Sequence, residues 1–514
     1  MSDPRERSRP TTFFTFLLSA CLLLSGIASA APSIALSKKS APPTSRILVS
    51  GRGFESNVGV DIFFDTKDKA LVVTNGKGEF HNAGIYAPRS ARPGKHWVTA
   101  LERNNDKGAQ QVFLVQTDWS QFRFSPKHDA VNPFENVLDP HTVGGLGVKW
   151  TYNTQHLWAW GSPMVVDGAA YVATWDDLYT FDANTGALRW KFSLFPELLS
   201  SDPAVANGIL YIGTFDEGIY ALNAETGVTL WSNACDRGYC RVFSSPAVAN
   251  GMVYFDDAED DSGDGTYALD VKTGKLLWFS PTNSSFSSPA VANGVVYVGS
   301  DDSNLYALDA FTGVKLWSYT AGWVVRTSPA VANGIVYFGS YDKNVYALNA
   351  SSGAKLWSYA TNGYVEGSPA VANGVVYVSS DDGNLYALNA YTGDLLWSYT
   401  AGAYVGDPTV ANGVVYVGSW SPNAIYALNA TTGKLLWSYA TGGRVLSDSA
   451  IVNGKVYFSS YDDGLIYAFD TAEKENGKVE ELWPASEPPD LKTLRPDFTF
   501  KVSKPGATPS GAER

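Results

Sequence analysis

One line of about forty residues recurs along this chain, and the recurrence restricts the fold more than any other feature. Residues 287–322 read SSPAVANGVVYVGSDDSNLYALDAFTGVKLWSYTAG, and near copies begin at 327 and 367. Self-similarity at this period indicates a fold assembled from one supersecondary unit. Units begin near Ser162, Asp202, Ser245, Ser288, Ser328, Ser368, Asp407 and Asp448.

Each unit divides into four short apolar runs, which in the 287 copy are SPAVA, VVYVGS, LYALD and VKLWSY. None is long enough for a helix, and all are rich in strand-forming residues. Asn-Gly separates the first two runs and favours a hairpin turn. A four-stranded meander at this period is typical of a propeller blade, whose apolar faces must be covered by neighbours. We therefore predict an all-β protein with an eight-bladed β-propeller over residues 146–484.

A tryptophan recurs in the fourth run, at Trp317, Trp357, Trp397 and Trp437. Because it is present in unit after unit, we expect it to fill the space between blades instead of binding a ligand. The last unit keeps three runs and then has a charged insert. We expect the strand LGVKWTY at 146–152 to complete that blade, replacing or flanking a strand at Trp483.

The line A-x-x-G-x-V-Y-x-x-S-x-D-G-x-L-Y-A-L-D-A-x-T-G-x-x-x-W resembles the pyrroloquinoline-quinone (PQQ) repeat. The ring that it implies is similar to the quinoprotein alcohol dehydrogenases and to the BamB-type propeller lipoprotein of the outer-membrane β-barrel assembly machine. DWSQFRFSPKHDAVNPFENVL at 118–138 resembles the lead-in of bacterial members. The resemblance implies the fold but not one function, because a single fold serves several functions.

Outside the repeat, residues 31–117 alternate short strands with Gly, Pro and Asn-Gly, which predicts a small immunoglobulin-like β-sandwich. SGRGFESNVGVDIFFD and APRSARPGKHWVTA are similar to IPT/TIG domains. We interpret residues 118–145 as a connector. The Pro-rich composition of 485–514 predicts a disordered tail or an extended strap on the ring.

The first thirty residues have the pattern of a secretory signal peptide. Three arginines precede an apolar run, and Ala28–Ala30 is a small-residue cleavage site. We expect an exported, periplasmic or secreted protein that is not an integral membrane protein. Leu-Ser-Ala-Cys ending at Cys21 resembles a lipobox and implies a lipid anchor there; the alternative is that Cys21 is an apolar residue of the signal.

Two further cysteines, Cys235 and Cys240 in CDRGYC, are predicted to form a disulfide in an oxidising compartment. The alternative, a metal or redox pair, lacks partner ligands, and we predict no metal site. AEDDSGDG around Asp260 resembles half of a calcium loop, but Val271 stands where the bidentate Glu belongs. We interpret it as a long polar hairpin.

The two faces of the predicted ring differ in sequence. Asn-Gly and Asp-Ala-x-Thr-Gly turns are nearly constant on one face, whereas the second-to-third turns and the blade-to-blade links vary on the other. Loops on a rigid scaffold are where binding residues are placed, and arginine with aromatic residues is a common binding composition. We predict a binding surface on this variable face; the alternative is ordinary solvated loop tips. Its candidate residues are Arg237, Tyr239, Arg241, Phe243, Trp323, Arg326, Tyr364, Glu366, Tyr404 and Arg444.

Several observations argue against catalysis. All five histidines precede the first full unit, so the repeats lack the usual general base. The quinoprotein resemblance implies PQQ held between a tryptophan and an adjacent Cys-Cys disulfide, with calcium and a catalytic Asp, and this chain has no adjacent cysteines. We predict no catalytic residue and no cofactor, although the family resemblance alone would allow PQQ.

The formal net charge of −13 argues against nucleic-acid binding, which needs a basic face. We therefore expect a non-enzymatic protein of the cell envelope that presents its variable face to a protein or peptide partner. The alternatives are a PQQ-dependent dehydrogenase and a sensor of a small ligand or glycan.

Overall fold

The computed structural model describes residues 31–155, 159, 161–193, 201–215, 217–235, 240–257, 264–283, 286–471 and 487–494. Regular structure in this part of the chain is almost entirely β, which confirms the predicted fold class. No helix in these ranges is long and apolar enough to cross a membrane. The predicted signal peptide, Cys21, Trp483 and the polar hairpin at Asp260 lie outside the described residues.

Residues 33–115 form two packed sheets. Their order is β1-β3-β6 in one and β2-β8-β7-β4-β5 in the other. Inward side chains of both sheets, such as Ile47, Phe64 and Phe113, fill one apolar core. The strands are β1 (Ser33–Leu36), β2 (Ser40–Ala41), β3 (Arg46–Arg52), β4 (Gly59–Phe64), β5 (Lys67–Val73), β6 (Phe80–Tyr86), β7 (Gly94–Glu102) and β8 (Gly108–Val115).

A linking segment follows the sandwich and contains β9 (Val131–Asn132) and a short 3-10 helix (Val143–Gly145). It leads into β10 (Leu146–Asn153). Within the predicted tail, residues 487–494 pack on the sandwich: Leu491 and Leu494 contact Phe63 and Leu101, and Gln110 Nε2 donates to the Pro489 carbonyl at 2.8 Å. This part of the tail therefore lies against the sandwich and not on the ring.

The repeats form successive four-stranded antiparallel sheets, as in a β-propeller. Blades 1 to 4 consist of β11 (Met164–Val166), β12 (Ala169–Ala173), β13 (Asp177–Asp182), β14 (Leu188–Ser193); β15 (Ala204–Ala206), β16 (Ile209–Gly213), β17 (Ile219–Asn223), β18 (Thr229–Asn233); β19 (Ala247–Ala249), β20 (Met252–Asp257), β21 (Gly265–Asp270), β22 (Leu276–Pro281); and β23 (Ala290–Ala292), β24 (Val295–Gly299), β25 (Asn304–Asp309), β26 (Lys315–Thr320).

Blades 5 to 8 continue the pattern, and the seventh has one additional short strand, β35. They consist of β27 (Ala330–Ala332), β28 (Ile335–Gly339), β29 (Asn344–Asn349), β30 (Lys355–Ala360); β31 (Ala370–Ala372), β32 (Val375–Ser380), β33 (Asn384–Asn389), β34 (Leu395–Thr400); β35 (Ala403–Val405), β36 (Thr409–Ala411), β37 (Val414–Ser421), β38 (Ala424–Asn429), β39 (Leu435–Ala440); and β40 (Ala450–Val452), β41 (Lys455–Ser460), β42 (Leu465–Thr471).

The constant turns have a geometric reason. Asn293 and Gly294 have φ values of 50° and 78°, the positive values that a type I′ hairpin needs. In the next constant turn, Asp309 Oδ1 accepts hydrogen bonds from the backbone N–H groups of Phe311 and Thr312 at 3.0 and 2.9 Å. These local bonds fix the turn independently of the rest of the blade.

The recurring tryptophan joins neighbouring blades, as the sequence predicts. Trp278 lies against Gly313 of the next blade, where an added Cβ would sit 2.5 Å from the indole ring. Its Nε1 donates to the Ala310 carbonyl at 3.0 Å, and Tyr254 Oη donates to the same oxygen at 3.1 Å. Trp317 and Tyr297 repeat this arrangement with Ala350 one blade later.

The ring is closed by a strand from before the first blade. β10 pairs with β42 in antiparallel register, with Trp150 opposite Ala468, so the predicted completion of the last blade is confirmed. Blade 8 consequently lacks an Asp-Ala-x-Thr-Gly turn. Trp437 Nε1 donates instead to the Leu146 carbonyl at 3.2 Å, and the buried Tyr416 hydroxyl has no partner among the described residues.

Residues 119–132, which we name the inner clasp, bond to the innermost strand of every blade. They contact the central residue of each strand through backbone groups, or through the side chains of Gln121 and Asn132. The first half of the predicted connector is therefore part of the packed propeller. The strand residues bonded are Val165, Val205, Val248, Val291, Val331, Val371, Val410 and Ile451.

Candidate functional site

At the start of the inner strands, Ser and Asp side chains link one blade to the next at seven boundaries. The backbone N–H of Ser288 donates to Ser328 Oγ at 3.0 Å, and that of Ser328 donates to Ser368 Oγ at 3.1 Å. The last blade returns to the first, because the Asp448 N–H donates to Ser162 Oγ at 3.1 Å. This belt of side chains surrounds the centre of the ring.

Arg123 of the inner clasp occupies the belt between Asp407 and Asp448. Its Nη1 lies 3.0 Å from Asp407 Oδ2 and 3.2 Å from Asp448 Oδ2, and its side chain is fully buried. Burial raises the pKa of both carboxyls, and the guanidinium opposes this shift. Burial beside Arg123 lowers the pKa of His128 to about 3, so this imidazole is neutral. The chain's own side chains thus fill the polar centre.

Asp202 is the third acid of the belt. Its Oδ1 accepts from the Ser162 N–H at 2.6 Å, and burial raises its pKa from 3.8 to about 6. Because the folded-state pKa lies above the unfolded one, the folded protein binds more protons between pH 4 and 6. The contribution of Asp202 to stability is therefore present at low pH and is lost as the pH rises through this range.

Replacing Asp202 by Asn should raise the free energy of unfolding at pH 7.5 by about 2–3 kcal/mol, since a shift of two pKa units corresponds to this amount. The variant should also show a smaller loss of stability between pH 4 and 7. Urea unfolding at several pH values measures both effects. Asp309→Asn is the control: hydrogen bonds from Thr312 lower the pKa of Asp309, so that variant should not gain stability at neutral pH. Unchanged stability of Asp202→Asn would contradict the assignment.

The predicted binding residues of blades 4 to 6 come together on the variable face. Trp323 packs edge-on against Tyr364 at 5.5 Å, and Tyr364 stacks on Tyr341 at 5.2 Å between ring centroids. Trp323 and Tyr364 remain 48% and 37% exposed. The guanidinium of Arg326 lies over Tyr341 at 5.6 Å and over Phe286 at 5.0 Å.

Phe286 extends this cluster towards blade 2. Its ring lies 4.9 Å from Phe243, which packs edge-on against Phe215 at 5.5 Å. The Arg241 guanidinium covers Phe215 at 4.7 Å. We name the resulting continuous surface the long aromatic band; its rings are Phe215, Phe243, Phe286, Tyr341, Tyr364 and Trp323.

A second cluster, the short aromatic band, lies on blades 7 and 8 and consists of Tyr404, Trp420 and Tyr461. Tyr404 lies 4.7 Å from Trp420, and both rings are partly exposed. The Arg444 guanidinium lies 4.3 Å from the Trp420 ring and 4.5 Å from the Tyr461 ring. It also forms a two-bond ion pair with Asp462.

The arginines hold the rings in place and are not free cations. Arg326 donates from Nε and Nη2 to the two oxygens of Asp301, both at 2.9 Å, and Arg444 is paired with Asp462 in the same way. Each guanidinium is therefore fixed by a carboxylate while its flat face covers aromatic rings. The sequence suggested arginines as contact groups; the geometry makes them supports for aromatic contact groups.

Glu366 lies at the edge of the long aromatic band. Its carboxylate raises the pKa of the Tyr341 phenol, after the larger effect of burial. Burial, reinforced by Glu366, raises the pKa of Asp381 to about 6. The band is thus bordered by acidic groups. Arg237 and Tyr239, also predicted to bind here, lie outside the described residues.

Five rings of the bands were missed by sequence reasoning, although a signal for four of them was available; the fifth, Phe286, lies in a variable link. The four share one repeat position, the residue after the recurring Ser or Thr that ends the second strand: Phe215, Tyr341, Trp420 and Tyr461. Asp301 and Asp381 stand at that position in other units. An aromatic residue in place of Asp, in the turn after the second strand, therefore indicates which blades contribute rings to the aromatic bands.

Cys235 and Cys240 are bonded to each other in a blade-to-blade link, beside Asp257. Within the described ranges this is the one His, Cys, Asp and Glu grouping compact enough for a metal ion, and a disulfide provides no thiolate ligand. The described residues also do not fit the quinone site that the family resemblance implies, because the bonded cysteines are not adjacent and Arg123 occupies the ring centre.

The repeat, the blade-to-blade tryptophans and the closing strand together define a β-propeller of the PQQ-repeat class. A family model described as "Outer membrane protein assembly factor BamB" matches residues 144–284, 245–328, 267–367, 320–418, 360–446 and 401–498. These overlapping matches cover most of the chain. The chain therefore belongs to this family.

Sequence relatives include the dehydrogenase subunit of the quinone alcohol dehydrogenase of Gluconobacter oxydans (strain 621H), 29% identical over 185 residues. That match covers 31% of this chain and 24% of the relative. Quinoprotein alcohol dehydrogenase PedH of Pseudomonas putida is 30% identical over 193 residues, covering 34% of this chain and 31% of the relative. The similarity thus spans only a minor part of these enzymes.

Two solved structures show the same fold at low sequence identity. BamB from Moraxella catarrhalis has a TM-score of 0.53 and 18% identity, with 63% of this chain and 99% of that chain covered. Quinohemoprotein alcohol dehydrogenase from Comamonas testosteroni has a TM-score of 0.61 and 17% identity, with 70% and 82% covered. Both are propellers to which this chain is similar.

Proposed function

We propose that this protein is a non-enzymatic platform of the cell envelope that binds a protein or peptide through its variable face. The observation that carries the proposal is the long aromatic band, in which exposed rings are arranged side by side and held by paired arginines. Aromatic anchors dominate the binding energy of protein interfaces because they bury a large area with few rotatable bonds.

The contacts that hold the rings of the long aromatic band in place favour tight binding. Trp323, Tyr341 and Tyr364 already contact one another in the free protein, and Arg326 is fixed to Asp301 beneath them. Such preorganised side chains lose little conformational entropy when a partner binds. The face therefore suits an extended or irregular segment with apolar side chains.

The envelope location rests on two observations. The chain begins with the pattern of a secretory signal peptide, and its family model is described as an outer-membrane protein assembly factor. A partner among envelope proteins or their precursors follows from this location. Attachment through Cys21 remains part of the proposal, since a lipid anchor would hold the ring near a membrane surface.

Replacing Trp323 and Tyr364 together by alanine should weaken partner binding by at least tenfold, about 1.4 kcal/mol, without unfolding the ring. Capture from envelope extract followed by a titration of the captured partner measures the effect. Phe311 and Tyr391 are 55% and 58% exposed in constant turns on the opposite face, and their double alanine variant is the matched control. Equal binding by both variants would refute the choice of face.

The similarity to quinone-dependent alcohol dehydrogenases makes a quinoprotein the second candidate. The two candidates are separated by titrating the mature protein with PQQ and calcium, following tryptophan fluorescence, and assaying alcohol oxidation with an electron-accepting dye. Saturable binding with turnover would replace the platform proposal. A titration without binding, together with loss of partner capture by the Trp323 and Tyr364 variant, would support it.

A further inference from the structure

A cleft of about 1240 Å³ lies between the sandwich and the closing blade. Its walls come from the sandwich near Arg92 and Gln116, from the linking segment near His141, and from blades 8 and 1. This volume exceeds the roughly 300–1,000 Å³ of ordinary ligand pockets. The cleft is independent of the variable face.

Lys455 departs from the repeat at the wall of this cleft. Lys455 directly follows the Asn-Gly turn between the first two strands of its blade. The residue at this position is apolar in the other seven blades: Ala169, Ile209, Met252, Val295, Ile335, Val375 and Val414. A charged residue in one blade alone is not explained by the packing of the blade. In the sheet of the closing blade, Lys455 lies opposite Asp470 of the neighbouring strand.

The ammonium group of Lys455 is poorly satisfied. Its side chain is only 10% exposed, and its nearest ion-pair partner, Asp470 Oδ2, lies 3.9 Å from Nζ, beyond hydrogen-bond distance. No other protein group among the described residues bonds to it. Burial lowers the pKa of Lys455; the carboxylates of Asp470 and Glu135 oppose this shift, and Lys149 adds to it. A buried ammonium in this state gains free energy from an anionic ligand.

The charge of the cleft has the opposite sign to that of the whole chain. Arg92, Lys149 and Lys455 line it against the carboxylates of Asp167 and Asp470, whereas the chain carries a net charge of −13. Asp167 Oδ1 accepts a hydrogen bond from Gln116 at 2.9 Å but keeps its negative charge. The three cations of the lining exceed its two carboxylates by one, so the lining as a whole attracts an anion.

We propose that this cleft binds a small ligand through a carboxylate or phosphate group held by Lys455, with Lys149 and Arg92 at the entrance. The spare volume accommodates the rest of the ligand. The binding is separate from the partner face, so that either proposal stands if the other fails.

The test uses the full mature protein with inorganic phosphate and succinate as probes of the two anion types, and glucose as a neutral control. Amine acetylation at Lys455, read by mass spectrometry, should slow at least fivefold with one of the anions and remain unchanged with glucose. The anion that protects identifies the chemistry. Equal labelling with all three compounds would overturn the proposal.

Lys455→Met separates binding from folding, because Met252 already occupies this position in blade 3. The variant should fold with at least wild-type stability and bind the protecting anion more than tenfold more weakly by calorimetry. If it unfolds instead, and the wild-type protein shows no protection at Lys455, then Lys455 is a structural partner of Asp470 and the proposal is wrong.

Discussion

Arg123→Ala should lower the free energy of unfolding at pH 7.5 by about 3–5 kcal/mol, because removal of one member of a buried ion pair leaves the other uncompensated. Arg123 is the cation between Asp407 and Asp448, and it also donates to the Pro408 carbonyl at 3.2 Å. The loss should be smaller at pH 4, since burial raises the pKa of both carboxyls and favours their protonated forms. Urea unfolding at both pH values measures the difference.

A matched control exists on the surface. Arg189 Nη2 lies 2.8 Å from Asp182, and both side chains are more than 30% exposed. Exposed pairs contribute about 0–1 kcal/mol, so Arg189→Ala should have little effect. Similar losses from the two variants would show that the centre of the ring is wet and that Arg123 does not organise it.

Trp278→Ala should cost about 3–5 kcal/mol, the range measured for large aromatic residues removed from packed cores. The substitution removes the ring that lies on Gly313. It also removes one of the two hydrogen bonds to the Ala310 carbonyl, so that only the bond from Tyr254 Oη remains. Thermal and denaturant unfolding measure the loss. Because the contact joins blades 3 and 4, the damage is expected at the boundary between them.

Trp323→Ala provides the same chemical change at an exposed ring of the long aromatic band. Its stability should stay within about 1 kcal/mol of the wild-type value, as for most surface substitutions. The pair therefore separates the two uses of tryptophan in this chain. If Trp278→Ala were as mild as Trp323→Ala, the inter-blade role of the recurring tryptophan would be refuted.

The blades and their closure could be predicted because repetition reveals them. The last unit stops after three strands, and a spare strand around Trp150 precedes the first, so the pairing follows from simple counting of strands. The inner clasp could not be predicted in this way. Its contacts with Val291, Val331 and Val371 use the backbone carbonyls of Pro126, Lys127 and Asp129, which any sequence possesses.

The candidate site was predicted as a face but not as a set of interactions. Variable loops predicted Trp323, Tyr364 and Tyr404 as binding residues; the structure brings Trp323 and Tyr364 together and places Tyr404 in the short aromatic band. Asp301 and Asp462, which pair with Arg326 and Arg444, resembled ordinary turn residues in the sequence. The pairing that makes these arginines supports of the rings was visible only in three dimensions. The sequence contained a further signal that was not used, namely single residues that differ from the repeat. One example is Lys455, at a position that is apolar in the other blades.

An open array of repeats behaves like a row of coupled units, in which each unit depends only on its neighbours and the ends can fray. The inner clasp changes this behaviour. Arg123 and Asp448 are 325 residues apart in the sequence, yet they meet at the centre of the ring. The inner clasp precedes all the blades in the sequence, yet its contacts are complete only when the last blade has formed. A change that destabilises one blade therefore also weakens contacts of the clasp. Because the clasp bonds to the inner strand of every blade, it couples the stability of distant blades, which an open array of repeats does not do.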